Sequence, residues 1–180
     1  TALGQQSIAN NQYTTAVGQL SKATGDGSTA IGRNAIANNS HTTTLGTNAT
    51  SSGTESTTLG YESIASGSNS TATGSFAKAS NTNTTAIGQD AQATGYLATA
   101  TGQNSKASGT NSTATGQDAK ATGHEATAIG QNSTANNSYT TATGQFAKAT
   151  GYQATATGQS ANASGDSATA IGQDSKANST

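Results

Sequence analysis

Very little in this chain is able to do acid–base, nucleophilic or metal chemistry. Its 180 residues hold two histidines, eight carboxylates and seven Lys or Arg side chains, with no cysteine. His41 and His124 stand far apart in the sequence, and neither forms a metal-ligand pattern with a thiolate or carboxylate. Both read as turn residues. No nucleophile can be paired with a base, and no glycine loop is shaped to cradle a phosphate. The expectation is a protein that is not an enzyme and uses no cofactor and no metal. The charged residues are nevertheless ordered along the chain, and the elements that carry them explain why.

A Thr, followed two residues later by Leu, Val, Ile or Thr and then by Gly, recurs at one fixed spacing. The glycines that close this motif run from Gly4 and Gly18 to Gly158 and Gly172, thirteen in all, each fourteen positions after the last. No insertion or deletion shifts the register. Such a period signifies a repeat architecture, in which each unit buries its apolar face only by stacking on its neighbours. Counted from the repeating Thr, a coil has positions 1 to 14, and Thr85 to Ala98 is one complete copy.

Positions 14, 2 and 4 are always small, as are 7 and 9. Position 9 is Ala from Ala9 to Ala177, with Ser51 the one exception. Alternating small residues mark strands whose inner faces share a narrow tube. Corners are expected at positions 5 to 6 and 11 to 13. Position 11 is Gly or Asn in twelve coils, for example Gly25 and Gly67 or Asn39 and Asn81, so a left-handed turn conformation is expected there. The pattern predicts an all-β chain, a flattened parallel β-roll or solenoid of thirteen 14-residue coils over residues 1–180. Its strands would be about four to five residues long and stacked ~4.8 Å apart.

Composition agrees with this reading. Hydrophobic residues make up 30% of the chain and only seven are aromatic, too few large side chains for a layered core. Only 8% are charged, which argues against disorder. With a net charge of −1 and no basic cluster in the sequence, no nucleic-acid partner is expected. No apolar run approaches the ~18 residues of a membrane span. The chain begins and ends in mid-pattern and is expected to be a fragment of a longer protein.

The two outward faces differ. Every charged side chain sits at position 5, 6, 8, 12 or 13, and none lies on the outside of the first strand. That outer face is Thr at position 1 and Leu3, Val17, Ile31, Leu45, Leu59, Thr73, Ile87, Thr101, Thr115, Ile129, Thr143, Thr157 and Ile171 at position 3. The second strand presents Lys22, Lys78, Lys106, Lys120, Lys148 and Lys176 at position 8. One face is wet and the other dry. A long uncharged stripe is rarely left in water, so identical chains packed about a rotation axis are expected to cover it.

The repeat Thr-Ala-Ile-Gly-x-x-Ala-x-Ala-x-Gly of Thr85 to Gly95, with close variants along the whole chain, resembles the YadA-like head repeat of bacterial trimeric autotransporter adhesins. The resemblance implies a left-handed parallel β-roll, wound as a homotrimer into a rigid head on a stalk. It also implies a bacterial cell-surface location, anchored in the outer membrane by a C-terminal domain not present here. In that family the first strand lines the trimer centre, so the thirteen position-3 residues named above become interface candidates. Thr at Thr73, Thr101, Thr115, Thr143 and Thr157, where relatives often carry Val or Ile, implies a more polar centre.

The functional expectation is an adhesin head that attaches to host cells, extracellular-matrix protein or glycan, or other bacteria through repeated weak contacts. Lys78, Lys106, Lys120, Lys148 and Lys176, with Tyr96, Tyr139 and Tyr152, are the candidate surface-binding residues. A plainer reading has corners as the only places roomy enough for aromatics, and Asp90, Asp118 and Asp174 neutralising a solvated lysine face. Two other functions compete: an ice-binding solenoid with Thr-x-Thr ladders, interrupted here by eight aliphatics, and a passive structural spacer.

Overall fold

The computed structural model describes residues 1–178, in two compact units that divide between Asp90 and Ala91. Ser179, which stands in the last coil where the others carry Gly or Asn, lies outside the described residues. Each unit is a parallel β-solenoid, and the thirteen Thr-x-x-Gly repeats wind one coil apiece. A coil contributes two strands shorter than the four to five residues expected. Thr29–Ile31 and Ile36–Ala37 are the pair from one coil of the first unit, and Thr113–Thr115 and Lys120–Ala121 a pair from the second.

Pairing runs from each coil to the next at the sequence period. In the first unit Thr15 lies opposite Thr29, Val17 opposite Ile31, and Lys22 opposite Ile36. In the second, Thr101 lies opposite Thr115 and Lys106 opposite Lys120. Each unit thus has a sheet of first strands facing a sheet of second strands, with like positions stacked in rows.

The space between the sheets admits little more than a methyl group. Ala16, Ala23, Ala30 and Ala37 in the first unit, and Ala100, Ala107, Ala114 and Ala121 in the second, are 0% exposed. Where Ser or Thr replaces Ala, the hydroxyl in most coils finds a carbonyl close at hand, although Ser28 Oγ and Ser56 Oγ are buried without a partner. Ser21 Oγ donates to the Gly18 carbonyl at 2.9 Å and Thr44 Oγ1 to that of Ile36 at 2.9 Å. Left unmade, such a buried bond would cost about 1–3 kcal/mol.

The corners correct one expectation. Left-handed backbone does not fall at position 11 but at positions 6 and 13. Asn34 (φ 56°), Leu20 (φ 60°) and Phe76 (φ 60°) hold it at the first corner, and His41 (φ 55°), Leu97 (φ 56°) and Tyr139 (φ 59°) at the second. The reason is the turn itself. Ala35 N–H donates to the Gly32 carbonyl at 3.3 Å and Ser28 N–H to that of Gly25 at 3.1 Å, each closing a four-residue turn. With positive φ at Asn34 and Gly27 but not at Arg33 or Asp26, these are turns of the type II pattern, which puts the positive φ on the third residue. Glycine at position 11 answers a different demand: a Cβ on Gly25 would lie 1.9 Å from the Asn39 carbonyl oxygen of the next coil.

Left-handed backbone costs a non-glycine residue about 1–2 kcal/mol. Beyond the first coil most of these residues recover part of that through their own N–H, which donates back one coil. Asn34 N–H reaches the Gln19 carbonyl at 2.9 Å, and Tyr139 N–H that of His124 at 2.8 Å. A bond of this kind contributes about 0.5–1.5 kcal/mol net. The coil-to-coil ladder therefore continues around the corners, and winding compensates for their strain.

Candidate functional site

The first-strand face carries the large apolar side chains of position 3, and it is open. In the first unit Leu3 (66%), Ile31 (37%), Leu45 (43%) and Ile87 (42%) stand exposed, and Val17 is half-buried. Leu59 is exposed too, and only Thr73 breaks this unit's aliphatic row. The second unit differs: Ile129 and Ile171 are exposed aliphatics, while Thr101, Thr115, Thr143 and Thr157 fill the other rungs. In-register pairing stacks these side chains from coil to coil within each unit, Ile31 opposite Leu45 and Thr115 opposite Ile129. The arrangement has no chemistry beyond packing and hydroxyl hydrogen bonding.

The opposite face holds the lysines. All six are exposed, and none has an ion-pair partner among the described residues. Asp90, Asp118 and Asp174 sit at the corner just before position 8 without bridging to it. Aromatic residues gather at the corners instead. His124, Tyr139 and Tyr152 form a run of edge-to-face rings, with centroids 5.5 Å apart for the first pair and 5.8 Å for the second. His124 Nε2 also lies 3.3 Å from a Glu125 carboxylate oxygen. Tyr96, on the same side of its coil, is exposed but outside this run.

The YadA head domain repeat matches residues 1–21, 9–35, 23–49, 51–77, 65–91, 79–96, 93–119, 121–147 and 149–179. This chain belongs to that family. Among solved structures it is similar to the collagen-binding domain of the Yersinia adhesin YadA, at 24% identity over 77% of this chain and 67% of that one, with a TM-score of 0.46. No curated protein matches.

In these YadA head repeats the candidate residues separate into three places. The position-3 residues form the dry face, the lysines the opposite face, and Tyr96, Tyr139 and Tyr152 one line of corners. Two features escaped the reading of the sequence. One is a glutamine ladder at position 5, where Gln131 Nε2 donates to Gln117 Oε1 at 3.0 Å and Gln145 Nε2 to Gln131 Oε1 at 2.8 Å. The recurrence of Gln at that position was the available signal. The other is an edge-to-face pair at the first corner, Tyr61 and Phe76, with centroids 5.4 Å apart. Beside it, Glu62 accepts a hydrogen bond from the Tyr61 phenol and holds it above its ordinary titration range, with Arg33 opposing.

Proposed function

We propose that this chain is the head segment of a trimeric bacterial surface adhesin, attaching to host cells, extracellular matrix or other bacteria through contacts repeated from coil to coil. Family membership supports the adhesin reading. The observation that carries the trimer is the first-strand face of each unit: uncharged, with Leu3, Ile31, Leu45, Leu59 and Ile87 of the first unit and Ile129 and Ile171 of the second open to solvent in a single chain. A row of branched aliphatics with no charged neighbour on its own face is suited to burial against copies of itself. Weak sites repeated along three chains then act together through avidity. Anchoring in the outer membrane belongs to a separate domain of the longer protein.

Light scattering on the purified chain tests the assembly. A mass three times the 17.5 kDa of one chain is expected, and a monomer at every concentration overturns it. Binding to immobilised collagen, laminin and fibronectin tests adhesion, and a passive spacer would bind none of them. The Thr-rich first strands of the second unit favour one other reading, ice binding. Thermal hysteresis no greater than that of a control protein eliminates it.

A further inference from the structure

We propose that the outer face of the second-strand sheet in the second unit binds a linear sulfated polysaccharide along the row Lys106, Lys120, Lys148 and Lys176. This rests on the adhesin reading and names a ligand class for it. In sequence these lysines are dispersed, but winding stacks them. Lys106 lies directly opposite Lys120, Lys120 opposite Thr134, Thr134 opposite Lys148, Lys148 opposite Asn162, and Asn162 opposite Lys176. With strands ~4.8 Å apart, Lys106 and Lys120 stand on adjacent rungs, and Lys148 and Lys176 follow at intervals of two rungs.

Like charges placed directly opposite one another weaken a sheet. No carboxylate pairs with these lysines among the described residues, so the repulsion is not relieved within the chain. A polyanion would relieve it. The outward side chains beside the row, Ser108, Thr122, Asn136, Thr150 and Ser164, each follow the second strand of their coil and offer hydroxyl and amide groups to sulfate oxygens. The first unit lacks such a row, because Ile36, Thr50 and Ile64 separate Lys22 from Lys78 there.

Width decides which polyanion fits. The lysine row is one side chain wide, and carboxylates stand at the corners on both sides, Asp118 and Asp174 on one and Glu125 and Asp166 on the other. A broad anionic membrane would meet those carboxylates as well. A single-stranded nucleic acid needs aromatic platforms for its bases, and Tyr96, Tyr139, Phe146 and Tyr152 all lie at corners, away from this face. A thread-like sulfated sugar chain meets only the lysines and the hydroxyls next to them.

Retention on immobilised heparin at roughly 0.15 M salt, where exposed charges still act over about 8 Å, provides the test. The wild-type chain is expected to bind and to elute with added salt. K106Q/K120Q is expected to lose about tenfold in affinity, while K106R/K120R and the first-unit variant K22Q/K78Q bind as wild type. All these side chains are exposed, so unchanged circular dichroism verifies the fold. Failure of wild type to bind, or undiminished binding by K106Q/K120Q, overturns the proposal. So does equal binding to desulfated heparin, to vesicles of phosphatidylserine and phosphatidylcholine, or to single-stranded DNA. Attachment to cells stripped of sulfated polysaccharide separates the two readings. If heparin binding fails and attachment persists, the adhesin reading stands without this site; if both fail, both readings fall.

Discussion

Thr42 Oγ1 donates a hydrogen bond of 2.8 Å to the carbonyl of Asn39, across the turn that closes their corner. The same bond joins Thr14 to Asn11, Thr84 to Asn81 and Thr140 to Asn137. Wherever position 11 is Asn, position 14 is Thr, and wherever it is Gly, position 14 is Ser or Ala. The two corners are distinct solutions. Asn39 bonds the Ser40 N–H through its own side chain at 2.9 Å, whereas the glycine corner presses its backbone against the next coil. Only the asparagine corner carries the additional methyl group of a buried Thr.

The pairing predicts coupled substitutions. S70T, placed in the corner of Gly67, should destabilise by about 1–3 kcal/mol through overpacking. N39G and T42S should each destabilise, and together by less than their sum, with a coupling of about 0.5–3 kcal/mol in a double-mutant cycle of denaturant unfolding. Additive effects would show that the two positions are independent.

Assembly should respond to one face only. I87K or I129K is expected to reduce the light-scattering mass to that of one chain, because each places an ammonium group on the row proposed to be buried. K106E, on the opposite face, should leave the mass unchanged. Equal tolerance of both changes would refute the assignment of faces.

Strain at the left-handed corners predicts a stabilising change. Leu97 holds a φ of 56° with its side chain 42% exposed, and Asn tolerates such a left-handed backbone better than Leu does. L97N is therefore expected to raise the unfolding free energy by about 0.5–1 kcal/mol. F76N should gain less or nothing, since it removes the edge-to-face contact with Tyr61, a pair of the kind that contributes about 0.5–1.5 kcal/mol. Thermal or denaturant midpoints compare the two.

Tyr61 should titrate late. The neutral phenol donates to the Glu62 carboxylate, and ionising it would put two negative charges side by side, so its proton is held above the ordinary value of 10.0. The sign is that of a raised pKa: the hydrogen bond is intact below the ordinary value and is lost as pH rises through the folded-state one. Ultraviolet phenolate titration should show Tyr61 ionising above its ordinary value of 10.0, and E62Q should return it towards that value. An unchanged titration in E62Q would assign the shift elsewhere.

Most of the architecture was legible because the repeat averages thirteen copies of one message. Period-two alternation of small residues located both strands, the confinement of charge to positions 5, 6, 8, 12 and 13 separated a dry face from a wet one, and Ala at position 9 announced the narrow interior. These are local properties of a strand, and a strand's own residues dictate which side they face. Other features needed the fold. Left-handed backbone went to positions 6 and 13, where Leu20 and Phe76 give no hint of it, because turn closure and the ladder to the next coil choose the conformation against side-chain preference. The Gln117–Gln131 ladder, the His124–Tyr139–Tyr152 rings and the Lys106–Lys120 pair join residues a whole coil apart in sequence. Only winding the chain at one fixed pitch brings such residues to adjacent rungs ~4.8 Å apart, which is why sequence alone set the period and the faces while the tertiary structure decided which side chains touch.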